Sequence, residues 1–199
     1  GAGSPPSRSV DGVSRAPALP GAAGSKPTLA AEASPQAAVA AISSAARAHK
    51  IDRSKYETVT DLPRLEAWIE QARAAGRFAF DTETTSLDPM QAEFVGFSMA
   101  VAPGHACYVP LGHRVGSGSF DFGEGDLTQV PINEALAVLR PLLEDPSVLK
   151  IGQNLKFDCL VLEQHNITLA PLDDTMLMSY ALDAGRGIHG MDALAERHL

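Results

Sequence analysis

Cysteine is nearly absent: 199 residues contain only Cys107 and Cys159, and neither stands at a metal-ligand spacing. This argues against a disulfide framework or a Cys/His zinc site, and both thiols are expected to be small, reduced core residues of a cytoplasmic protein. Long hydrophobic runs are missing too. No apolar stretch approaches the ~18 residues of a spanning helix, and the N-terminus lacks the basic and apolar regions of a signal peptide, so nothing points to a membrane. Positive charge is also scarce. There are 16 Lys and Arg against 24 Asp and Glu, a net charge of −8. Residues 1–50 hold five of the basic groups and only two of the acidic ones, which leaves residues 51–199 with 11 basic and 22 acidic groups, a net of −11. A protein that holds double-stranded nucleic acid through phosphate neutralisation wants the opposite sign, so strong stand-alone DNA binding is not expected.

What is present divides into two parts. Residues 1–50 are rich in Ala, Pro, Ser and Gly and cannot bury enough apolar surface to offset their ordering entropy. They read as a flexible, disordered linker, with an Ala-rich stretch from Ala37 to Ala48 that can form a transient helix. From Ile51 onward the pattern is globular. Leu62, Leu65, Trp68, Ile69 and Ala72 recur with helical period, with Asp61 as cap and Gly76 as terminator. Strands are expected at Arg77 to Asp81, Phe94 to Val101 and Ala106 to Leu111, in meander order. Helices are expected at Pro131 to Leu143, Asn154 to Gln164, Asp174 to Leu182 and from Met191 onward. The Gly-rich excursion Gly116 to Asp126 has no Lys-Ser/Thr and does not enter a helix directly, so it reads as a mobile surface loop rather than a phosphate cradle. The sum is an α/β domain whose mixed sheet helices can cover on both sides.

Two stretches carry the chemistry. In Phe78-Ala79-Phe80-Asp81-Thr82-Glu83-Thr84-Thr85-Ser86-Leu87 an apolar run ends in two carboxylates one residue apart. Side chains alternate along a strand, so Asp81 and Glu83 project from one face and repel. A divalent cation makes that pair tolerable, and oxygen donors suit Mg²⁺ or Mn²⁺. The second stretch, Gly152-Gln153-Asn154-Leu155-Lys156-Phe157-Asp158, follows Val148 to Ile151 and reads as strand, tight turn and helix start. Asn154 is the expected N-cap, and Asp158 lies in the first turn, where the helix dipole favours it.

These motifs, followed by Asp174-Thr175-Met176 and Met191-Asp192-Ala193-Leu194-Ala195, resemble the 3′-5′ proofreading exonuclease domain of bacterial family A polymerases of the DNA polymerase I type. The resemblance runs from about Tyr56 to Leu199 in the family's order and spacing. It implies an RNase H-like fold, of the kind whose nucleases use four acidic residues and two divalent ions, Mg²⁺ or Mn²⁺, to remove nucleotides from a DNA 3′ end. It further implies that Asp81 is shared between two ions, that Glu83 binds the ion beside the attacking water, and that Asp158 serves the other. Thr84 and Leu87 would line the pocket for the terminal nucleotide, and Gln153, Asn154 and Lys156 would touch the sugar-phosphate of the single strand. Phe157 stands where the family often has Tyr, keeping the ring without the hydroxyl. Asp174 reads as an N-cap for the residues after it.

One family feature is missing. The last carboxylate of the family lies in a Tyr-x-x-x-Asp motif; Tyr180 to Asp183 has the wrong spacing, and His189 to Asp192 is one residue short of the His variant. With no initiator Met and an end at Leu199 inside an expected helix, the chain reads as a fragment, with residues 51–199 an exonuclease domain incomplete at its C-terminus. Alone it is expected to be a monomer of weak or absent activity, with a polymerase region further along the same parent chain in a bacterial cytoplasm. Two alternatives stay open: an RNA 3′-exonuclease similar to ribonuclease D, and a silent domain that only braces a polymerase.

Overall fold

The structure is a computed structural model that describes residues 34–48, 52–114, 128–185 and 187–199. Most of the expected linker and the Gly-rich excursion from Gly116 to Asp126 lie outside the described residues. The chain divides into two units, Gly1–Val39 and Ala40–Leu199. Only the start of helix α1, Pro35–Ala48, is described in the first. No helix among the described residues is long and apolar enough to cross a membrane.

The second unit is built on a six-stranded mixed sheet. Its strands are β1 (Glu57–Thr58), β2 (Arg77–Thr84), β3 (Phe94–Ala102), β4 (His105–Pro110), β5 (Leu149–Gly152) and β6 (Leu172–Asp174), in the order β1-β4-β3-β2-β5-β6. The meander β2-β3-β4 is antiparallel, whereas β5 runs parallel to both β2 and β6. The helices are α2 (Leu62–Ala75), α3 (Ile132–Leu143), α4 (Leu155–Glu163), α5 (Thr175–Leu182) and α6 (Met191–His198). Two strands escaped the sequence reading, β1 and β6, because two- and three-residue segments are too short to show a period.

Helix α2 starts and stops as its residues require. Asp61 accepts from the Arg64 N–H at 2.9 Å, and Gly76 closes the helix at φ 68°, its N–H shared between the carbonyls of Ala72 and Arg73. Its buried stripe, Leu65, Trp68, Ile69 and Ala72, joins one face of the sheet: Phe78, Phe80, Phe97, Met99, Cys107 and Val109. Aromatic pairs fill the layer, with Phe80 5.7 Å from Phe97 and Trp68 edge-on to His105 at 4.7 Å. On the opposite face Ala79, Asp81, Glu83, Ser98, Ala100, Ala106 and Tyr108 are half-buried or exposed, since the apolar stripes of α2, α3 and α4 feed a single core.

Lys150 is the deepest polar side chain, fully buried in β5. Its ammonium donates to the carbonyls of Asp145 (2.9 Å), Val148 (2.8 Å) and Ala170 (2.6 Å), which ties the strand to the turns on either side. Three donors meet three acceptors, so a charge that would otherwise be costly to bury is accommodated.

Candidate active site

Both acidic motifs lie where parallel strands end. β5 pairs with β2 only through Arg77, Phe78 and Ala79, so the rest of β2 has lost its neighbour on that side. β5 ends there and α4 begins, at the C-terminal ends of parallel strands, where open α/β sheets place their ligands. Gly152 permits the close approach: a Cβ on it would lie 2.4 Å from Leu155 Cδ2 and 2.8 Å from the Phe80 carbonyl.

Asp81 and Glu83 project from the same, open face of β2, as alternation requires, opposite Ser98 and Gly96 of β3. Glu83 is exposed and Asp81 half-buried. Burial, and then the negative charge of Glu83, push the Asp81 carboxyl above its ordinary value. Asp158 is buried, only 3% exposed, on the first turn of α4. Its Oδ1 accepts from the Thr82 N–H at 2.8 Å and from the Thr82 hydroxyl at 2.6 Å. Burial raises its carboxyl too; the bonds from Thr82 oppose that shift, and the Asp81 charge adds to it. The charge of Glu83 is thus felt at Asp81, and that of Asp81 at Asp158 on the neighbouring helix. Among the described residues, however, no three His, Cys, Asp or Glu side chains converge closely enough to hold a cation. The donors have the right chemistry for Mg²⁺ or Mn²⁺, and Asp158 faces Thr82.

Asn154 occupies the N-cap position, but in the left-handed region at φ 58° and without a capping bond from its side chain. The cap comes from elsewhere. Asp174, 5% exposed, accepts from the N–H groups of Asn154 (3.0 Å) and Leu155 (2.8 Å), and also from those of Met176 (2.9 Å) and Leu177 (3.3 Å) at the start of its own helix α5. One carboxylate therefore serves two helix starts, a double role the sequence reading saw only by half. No local pattern signals it, because the bond to α4 spans twenty residues.

The remaining expected site residues differ in how free they are. Leu87 is 97% exposed on the loop between β2 and β3. The Thr84 hydroxyl donates to the Ser86 carbonyl at 3.0 Å, and Gln164, the C-cap of α4, reaches the Pro89 carbonyl and tethers the loop. Lys156 and Asn154 are exposed, and the Phe157 ring is half-buried against the core. The Gln153 amide is engaged with Thr175 Oγ1 and with the His189 carbonyl at 2.9 Å. It holds the β5 turn to the α5 start and to the segment before α6, so contact with substrate would cost it those bonds. His189 is itself buried, with Nδ1 2.7 Å from the Ser179 hydroxyl and Tyr180 stacked on its ring at 3.9 Å.

Residues 56–199 match the sequence family described as 3′-5′ exonuclease. DNA polymerase I of Rhizobium leguminosarum is 52% identical over 157 residues, covering 74% of this chain and 16% of the polymerase. That of Pseudomonas aeruginosa is 42% identical over 147 residues, covering 72% of this chain and 15% of the polymerase. The chain thus spans about a sixth of the length of these relatives. Among solved structures, Brucella melitensis NrnC with bound Mg²⁺ shares the fold at a TM-score of 0.50 and 22% identity, over 72% of this chain and 60% of that one. Residues 56–199 belong to the 3′-5′ exonuclease family and correspond to the exonuclease region of DNA polymerase I.

Proposed function

We propose that this domain removes nucleotides one at a time from a DNA 3′ end, as the proofreading part of a longer DNA polymerase I, with divalent cations at Asp81, Glu83 and Asp158. The observation that carries the reading is the geometry at the end of β2: Asp81 and Glu83 share one face of the strand, and Asp158, at the start of α4, is buried against Thr82 between them. Carboxylates perturbed by burial and by one another at the C-terminal ends of parallel strands are a mark of function rather than of stability alone.

Asp81 would be shared by two ions, with Glu83 on one and Asp158 on the other, directly or through water. When bound, such ions supply charge neutralisation at the scissile phosphate and a source of hydroxide at neutral pH. The chain's own residues do the rest. Glu83, exposed at the end of β2, faces the attacking water. Leu87 packs against the terminal base, a contact that accepts any unpaired base because every base has an apolar face. Thr84 lines the same pocket. Asn154 and Lys156 meet the sugar-phosphate, which positions the strand without reading its sequence, and Phe157 backs them. Gln153 braces that turn, and a contact from its amide to the strand would require release from His189 and Thr175.

The sign of the domain's charge fits this division of labour. An acidic site rejects a phosphodiester until cations load, while a larger region of the same polymerase holds the duplex. The test is degradation of a 5′-labelled single-stranded oligonucleotide with Mg²⁺, with Mn²⁺ and with EDTA, using this chain and a longer one continued as in the polymerases it matches. Metal-dependent stepwise shortening from the 3′ end, lost in the Asp81→Ala, Glu83→Ala double variant, is the expected result. A folded, metal-loaded longer chain that shortens nothing would leave the bracing role as the better account.

A further inference from the structure

Tyr108 lies on the same face of the sheet as the two β2 carboxylates. In register, Asp81 stands opposite Ser98 and Ser98 opposite Tyr108, while Glu83 stands opposite Gly96. The phenol does not point straight out from its own row. A Cβ built on Gly96 would lie 2.1 Å from the Tyr108 hydroxyl and 2.7 Å from Cζ, so the end of the ring lies over Gly96, next to Glu83. The glycine leaves the room that the ring takes.

The hydroxyl is held from behind. It contacts Nε2 of His113, whose ring centroid is 5.8 Å from that of the tyrosine. His113 is fixed in turn by Gln129, which accepts from the His113 N–H at 2.7 Å and donates to its carbonyl at 2.9 Å. His113, its backbone held by Gln129, thus steadies a phenol whose hydroxyl lies over Gly96, the residue that pairs with Glu83 across the sheet. Glu83 is exposed and takes part in none of the ion pairs among the described residues. An ordinary phenol is protonated at neutral pH, so the hydroxyl is available as a donor.

We propose that Tyr108 is a positioning residue for Glu83: with His113 in its Nε2-protonated tautomer donating to the phenol oxygen, the hydroxyl donates to the Glu83 carboxylate and orients it toward a bound divalent cation. This rests on the reading of Asp81 and Glu83 as cation ligands. The aromatic ring packs over Gly96 whether or not the hydroxyl is present, so Tyr108→Phe separates packing from donation.

Mn²⁺ binding to the 199-residue chain, followed by electron paramagnetic resonance and calorimetry at neutral pH, tests it. Tyr108→Phe should melt at the wild-type temperature yet bind Mn²⁺ about 3- to 10-fold more weakly, the scale of one ordinary hydrogen bond. In a Glu83→Gln background the same change should cost nothing further, since the hydroxyl acts through that carboxylate. Wild-type affinity in Tyr108→Phe, or an equal loss in both backgrounds, would overturn the proposal while leaving the cation reading intact. A folded wild-type chain that binds no Mn²⁺ would overturn the cation reading, and this inference with it.

Discussion

Two aspartates flank the start of α4 at nearly the same depth, Asp158 at 3% and Asp174 at 5% exposure, and their surroundings are opposite. Around Asp174 four backbone N–H groups converge, two from each of two helix starts. Around Asp158 a single residue, Thr82, donates, and the nearest charge felt is the like charge of Asp81. A buried carboxylate surrounded by donors holds the fold together. One with fewer donors, under the influence of another acid, costs the fold stability and is better accounted for by chemistry.

The sharpest way to break this contrast is to remove charge from the acidic corner. Asp81→Ala or Glu83→Ala should lower metal-dependent 3′ shortening by about 10³-fold or more in single-turnover assays of the longer chain, with the fold unchanged by circular dichroism. Asp158→Asn should lose activity on a similar scale yet keep its melting temperature, because an amide oxygen still accepts from Thr82. A sharp fall in melting temperature for Asp158→Asn would move that residue into the structural class.

At the other corner the order reverses. Asp174→Ala removes the caps of α4 and α5 together and should destabilise by about 2–4 kcal/mol in urea unfolding. Any loss of activity should follow from displacement of Asn154 and Leu155. Lys150→Met, which leaves three buried carbonyls without their donor, should cost about 2 kcal/mol and leave cation affinity untouched.

The smallest effect concerns pH. Asp81 and Asp158 both have raised carboxyl values in the folded chain, so just above the ordinary carboxylate range the folded state binds more protons than the unfolded one. Without metal, the contribution of these two groups to stability therefore falls as pH rises through that window. Thermal melts of the Asp81→Asn, Asp158→Asn pair against wild type should show the variant gaining on wild type from acid toward neutral pH. Millimolar Mg²⁺ should narrow the gap by stabilising only the wild type.

Much of the sheet was legible from local pattern. In β2 the alternation of buried Phe78 and Phe80 with Asp81 and Glu83 on the other face follows from a period of two. The caps of α2 at Asp61 and Gly76 fell where their side-chain chemistry requires. At α4 the local rule failed, since Asn154 stands in the cap position while Asp174 supplies the cap. Tyr108 and His113 gave no signal as a pair, because their link to Glu83 runs across β3 through a glycine, the residue type that carries no side-chain pattern.

Neighbours along the chain settle which residues can bear charge, which face of each strand is apolar, and that Asp81 and Glu83 share a side. Tertiary structure alone decided that β5 stops short beside β2, that Asp158 reaches Thr82 across 76 residues, and that Asp174 caps two helices. Those outcomes depend on backbone groups left without partners where strands end, and which distant side chain satisfies them is set only once the sheet is assembled.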